Sequence, residues 1–227
     1  MKTFTSALLA GAAISIASQA HAADPVITEP VARAILNTIT FEVSPEFNAK
    51  ATSSQQSGSL KETAFKIGYS RNLGNGWSWG ISDQQTVRAT GVGIYQNQLE
   101  STVGYSVKVN DTFSLPLSVG LGYVWDTRAA SSGLADHRWA YYVASAGVNV
   151  KFDSHWTWNA INARYRDAFE GDWKTPKVTT GITYTIDKYN AVYTNVGYTW
   201  KTGAGGEVAP DVGPDKWNLT AGYKVSF

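Results

Sequence analysis

From about residue 36 to the last residue, apolar and polar side chains alternate one by one, and this alternation constrains the fold more than any other feature. A period of two fits an extended strand, whose successive side chains point to opposite faces, and fits no helix. Leu99, Val103, Tyr105, Val107 and Val109 fall on one face of their run, against Glu100, Thr102, Gly104, Ser106 and Lys108 on the other. The last run is as regular, with Trp217, Leu219, Ala221, Tyr223, Val225 and Phe227 against Lys216, Asn218, Thr220, Gly222, Lys224 and Ser226. Turn-rich breaks separate the runs. Short ones at 72–76, 110–111, 153–154 and 187–190 alternate with longer ones at 51–58, 90–96, 129–136, 170–175 and 203–214. The pattern predicts an all-β chain: an antiparallel transmembrane β-barrel of about ten strands, within a range of eight to twelve, with short periplasmic turns and longer extracellular loops.

A soluble β-sandwich or a lipocalin-like barrel alternates too, but hides its apolar face in a core. Here the second face is built of Gly, Ser, Thr, Asn, Lys and Glu, which suits a water-filled or side-chain-filled lumen better than an outer surface. No stretch after the leader is apolar for long enough to span a bilayer as a helix, and the mean hydropathy of −0.21 is what alternation produces. The aromatic residues fall into two belts. Trp77, Trp79, Phe113, Phe152, Trp156, Trp158 and Phe227 sit beside short breaks, whereas Tyr123, Trp125, Trp139, Trp200 and Trp217 sit beside long ones. Amphipathic rings favour the two membrane–water interfaces.

Residues 1–22 have Lys2 in a short n-region, an apolar stretch over 7–17 and Ala20-His21-Ala22 as a small-residue cleavage site, the pattern of a secretory signal peptide. Residues 23–35 do not alternate and are expected to form a periplasmic lead-in or a short helical plug, leaving 36–227 as the barrel. The expected location is the outer membrane of a Gram-negative cell, crossed many times. The 19 basic and 18 acidic residues become equal in number once Lys2 leaves, so no basic excess attracts nucleic acid. With no cysteine there is no disulfide framework and no thiolate metal site, and no spacing suggests a metal or cofactor.

The final WNLTAGYKVSF, with Tyr223, Val225 and terminal Phe227 on one face, resembles the C-terminal signal of bacterial outer-membrane barrels. That resemblance implies recognition by the barrel-assembly machinery through Phe227, and outer-membrane lipid as the surroundings. In size and leader the chain is similar to the small opacity-type surface proteins, commonly of eight strands. Arg164-Tyr165-Arg166 resembles the Arg-aromatic-Arg strands of the oligogalacturonate-specific porins, narrow monomeric channels of twelve strands.

If the polar faces line the lumen, Lys66, Arg88, Lys108, Arg128, Arg164 and Arg166 are basic candidates for solute contact, and Glu62 and Glu100 acidic ones. Lys151, Lys177, Lys201, Lys216, Lys224, Glu42, Glu46 and Asp126 share that face. The basic groups are in excess, so a wet lumen would favour small anionic solutes. The alternative is a closed structural or adhesive barrel that acts through its outer loops. Arg164 and Arg166, two apart on one strand, present two guanidinium forks to one ligand. Trp156 and Trp158 share their parity and would face inward unless a bulge near 159–162 switches the face. Asp83 and Gln85 fall on the lipid side of their run and call for a bulge or an early strand end. Asp136-His137 resembles the base of omptin-type outer-membrane proteases, but no full catalytic constellation can be named, so a non-enzyme is expected, and a monomer.

Overall fold

The computed structural model describes residues 37–49, 57–89, 95–127, 138–170, 173–200 and 215–227. The leader, the lead-in, Arg128, Asp136, His137 and Lys201 lie outside them, as do the side chains of Arg88 and Asp126. Ten strands run in chain order: β1 (Asn37–Asn48), β2 (Leu60–Gly74), β3 (Trp77–Arg88), β4 (Tyr95–Lys108), β5 (Phe113–Thr127), β6 (Arg138–Lys151), β7 (Trp156–Ala168), β8 (Lys177–Thr185), β9 (Asn190–Thr199) and β10 (Lys216–Ser226). Each pairs antiparallel with its neighbours, and β10 returns to β1 in the register Phe41↔Tyr223 to close the barrel. Closure leaves no strand edge, the condition that hydrocarbon imposes on a sheet.

Each short turn is set by an Asn or Asp side chain that accepts a backbone amide bond. Asn72 Oδ1 accepts from Gly74 (2.9 Å), Asn110 Oδ1 from Thr112 and Phe113 (2.9 and 2.7 Å), and Asp187 Oδ1 from Tyr189 and Asn190 (2.7 and 2.8 Å). Asp153 Oδ1 accepts from His155 and Trp156, both at 2.7 Å, and these bonds hold its carboxyl below the usual range. In the β2–β3 turn Gly74, Asn75 and Gly76 all have positive φ, the left-handed conformation that a two-residue hairpin with right-handed strand twist requires.

Burial is inverted relative to a soluble protein. Val119 on β5 is 63% exposed and Leu219 on β10 is 48% exposed, because the apolar face points to lipid. One apolar cluster is internal: Val124, Trp139, Tyr141, Val143 and Ala168 pack against Trp173 inside the barrel, at the end of the long loops. This corrects the expectation for Trp139, which lies inside the wall and not in the outer aromatic belt. The outer half of β6, 139–144, is apolar on both faces, so alternation alone could not tell which of its aromatic residues turn inward.

The expected flaw at Asp83 has a different answer from the one the sequence suggested. Strand β3 runs on to Arg88 and keeps continuous register with β4, with Asp83↔Leu99 and Gln85↔Asn97, so no bulge or early end turns Asp83 and Gln85 inward. They stay on the outer face.

Candidate channel lumen

A single extra residue positions the two arginines. On β7 three steps, Asn159 to Asn162, face two on β8, Gly181 to Thr179, and the register with β6 shifts at the same place. Below this bulge Trp156 and Trp158 face outward, 41% and 43% exposed; above it Ile161 and Tyr165 face outward while Arg164 and Arg166 face the lumen. A bulge moves one residue out of the ladder and so reverses the inward and outward parity beyond it.

Two tyrosines lie flat on the lumen wall over glycines of the neighbouring strand. Tyr141 on β6 faces Gly122 on β5, and Tyr193 on β9 faces Gly222 on β10. A Cβ at Gly122 or Gly222 would fall 2.1 or 2.2 Å from the ring, so only glycine admits this arrangement. Each tyrosine then donates to a carboxylate: Tyr141 to Glu100 at 2.9 Å, Tyr193 to Glu42 at 2.6 Å. Each carboxylate in turn holds a cation. Arg166 reaches Glu100 through Nε (2.8 Å) and an Nη (2.7 Å), and Lys66 reaches Glu42 at 3.2 Å. The Gln98 amide oxygen accepts from both terminal nitrogens of Arg166, at 2.8 and 3.0 Å. A third group joins Lys216 to Glu62 (2.7 Å) and to Glu46. Carboxylate and guanidinium or ammonium are thus mutually satisfied within the low-dielectric wall, as buried charges must be.

Two lumen cations stand apart. Arg164 on β7 and Lys177 on β8 are direct cross-strand partners, and neither has a hydrogen bond or ion pair among the described residues. The buried Nε of Arg164 has no acceptor. Lys224 rests over the Tyr193 ring, 4.8 Å from its centroid. Toward the periplasm the lumen opens into a cavity of about 460 Å³ that Glu42, Lys66, Asn159, Asn162, Asn195 and Lys224 help to line, followed by a mouth of about 370 Å³. Toward the outside, the Glu100–Arg166 bridge spans from β4 to β7 beside the internal aromatic cluster.

Of the candidate residues, Lys66, Glu62, Glu100, Arg164 and Arg166 line the lumen wall. Lys108 does not contribute there: it lies at the periplasmic turn, 72% exposed, and pairs with Asp111 at 2.6 Å, a contact that lowers the Asp111 carboxyl. The strand ends at Lys108, which takes its side chain beyond the membrane-spanning wall. The expected pair Arg164 and Arg166 does not act as one fork, because Arg166 is occupied by Glu100. Lys177 takes its place beside Arg164. Tyr141, Tyr193 and Gln98 were not singled out from the sequence; the signal was an aromatic residue on the polar parity of its strand.

No known protein family and no curated protein matches the sequence. Among solved structures the chain is similar to an outer-membrane channel from Pseudomonas putida F1, with TM-score 0.50 and 10% identity over 85% of this chain and 95% of that one. NanC porin superposes with TM-score 0.48 and 11% identity over 83% and 100% of the two chains. The outer membrane protease OmpT from Escherichia coli superposes with TM-score 0.44 and 10% identity over 86% and 97%. At such identities the likeness is one of fold: the chain is a closed antiparallel β-barrel of ten strands.

Proposed function

We propose that this outer-membrane barrel is a narrow channel that favours small anions. The observation that supports the reading is the pair Arg164 and Lys177, two adjacent cations on the lumen wall without a counter-charge within 4 Å among the described residues. Among the described residues of the wall, Lys66, Arg166, Lys216 and Lys224 stand against Glu42, Glu46, Glu62 and Glu100, so there Arg164 and Lys177 are the excess. Lumen cations that are not neutralised attract anions and repel cations, as rings of Arg and Lys do in anion pores. Each of these four carboxylates is held by a lumen cation, which fits a conduit better than a catalytic centre.

The deciding experiment is conductance of the refolded protein in a planar bilayer under a salt gradient. Stable steps with a reversal potential of anion sign are expected. Silence from protein whose fold is verified by heat-modifiable mobility, or a cation-selective reversal potential, would overturn the proposal. Silence would favour the second reading, a closed barrel acting through its outer loops. What supports that reading is the internal cluster of Trp139 and Tyr141 together with the Glu100–Arg166 bridge, which fill one side of the lumen. Ten strands lie between small barrels filled by side chains and large barrels with open channels.

A further inference from the structure

We propose that the outer face of β3 and β4 is an interface with a second copy of this chain. On this face Asp83, Gln85 and Asn97 point away from the barrel, between Phe65 and Ile67 of β2 on one side and Leu99 and Trp125 on the other. For strands tilted by about 40°, Asp83 stands about 15 Å above Trp77 of the lower aromatic belt, inside an apolar band about 25 Å tall. Hydrocarbon offers a carboxylate no hydrogen bond, and an unsatisfied polar group there is strongly disfavoured.

The same barrel satisfies other outward polar groups internally. Ser101 accepts from Trp79 (3.1 Å), Thr180 from Trp158 (3.2 Å), and Asp167 from both Tyr142 and Tyr165 (2.9 and 3.0 Å). The side chains of Asp83, Gln85 and Asn97 have no hydrogen bond or ion pair among the described residues. Three neighbouring polar groups left open on a lipid-facing wall call for a protein partner within the membrane.

The chemistry of the patch fits a second copy. Gln85 and Asn97 are cross-strand partners, nearly level on adjacent strands. A two-fold axis along the membrane normal sets Gln85 of one protomer against Asn97 of the other, and the reverse. Each amide carries both donor and acceptor, so such a pairing completes itself, and the amide N–H groups also supply donors to the Asp83 carboxylates, which only accept. Phe65, Ile67 and Leu99, 52%, 38% and 42% exposed, provide the apolar surround of the contact.

Because the chain has no cysteine, a single introduced thiol reports on one face. Leu99→Cys, beside the patch, is compared with Val196→Cys on β9 across the barrel, both exported as the full chain and oxidised in outer-membrane vesicles. A disulfide dimer is expected from Leu99→Cys and not from Val196→Cys. Adding Asp83→Leu and Gln85→Leu to Leu99→Cys is expected to lower the dimer about tenfold, the effect of losing a small set of membrane-embedded hydrogen bonds. Equal yields at the two positions, no dimer from Leu99→Cys, a cross-link to a different protein, or a dimer indifferent to the double replacement would overturn the proposal. The comparison of the two cysteine positions decides even if the double replacement fails to insert.

Discussion

Replacing both Arg164 and Lys177 by Ala removes two adjacent lumen cations that make no ion pair among the described residues. A small anion passing about 6 Å from one of these charges in water gains about 0.7 kcal/mol, a factor of about three in local concentration, so the two together supply about tenfold. The double variant should therefore lose about tenfold in anion enrichment and about tenfold in cation exclusion, about a hundredfold in anion-over-cation permeability, read as a shift of reversal potential toward zero in a salt gradient. Each single variant should lose about tenfold in that ratio. The unitary conductance should stay or rise, because two side chains leave the bore. Arg166→Ala is the contrasting control. It uncovers Glu100 and moves selectivity in the same direction, but leaves a buried carboxylate unpaired and lowers stability, which the Arg164 and Lys177 variants should not do. A folded double variant with wild-type reversal potential would refute the argument that these two residues set the field in the lumen.

Three further outcomes are expected. Gly122→Ala forces Tyr141 off the wall and away from Glu100, a loss of about 3 kcal/mol in urea unfolding from vesicles, and this loss should fall below about 1 kcal/mol in a Tyr141→Ala background; additive effects would rule out the Gly122–Tyr141 contact as the cause. Deleting Ala160 takes the extra residue out of β7 and leaves Trp158 and Arg164 an odd number of positions apart, so both keep their faces on a regular strand and the variant should still insert; an insertion yield that collapses would contradict the geometry. Asp153→Ala should unfold faster than wild type at neutral pH and converge with it under acid. The Asp153 carboxyl is depressed in the folded protein, so its contribution is present above the unfolded pKa and is lost as pH falls through the lower folded value. A difference that persists in strong acid would assign the effect to something other than the charge.

Much of this architecture could be read in the sequence because lipid leaves a strand so few choices. The outward face must be apolar, so every strand announces its parity, and the short turns are marked by Asn72, Asn110, Asp153 and Asp187. Even the bulge in β7 could be placed, since Trp156 and Arg164 cannot both be correctly oriented on an unbroken strand. The partners inside were not legible. Arg166 and Glu100 are separated by 66 positions and meet only because the barrel curves β4 toward β7. Trp139 misled because the outer half of β6 is apolar on both sides, and Lys108 because parity says nothing about where along the axis a strand leaves the membrane. At Asp83 the alternation rule fails without any backbone irregularity to excuse it, which is the kind of conflict expected where a surface serves a contact.

The tyrosines seated on Gly122 and Gly222 also bear on time. A closed barrel fixes its backbone through hydrogen bonds around the whole circumference, so the bore cannot widen by strand movement. Tyr193 is held by a hydroxyl bond to Glu42, and Tyr141 by hydroxyl bonds to Glu100 and Gln98 and by packing on Trp173, and each moves as a single side chain. Any change in the free cross-section must then arise as rapid, independent excursions of these rings, faster than collective backbone motion. Such a conductor would show its internal state as excess current noise within one open level, with no second long-lived level to occupy.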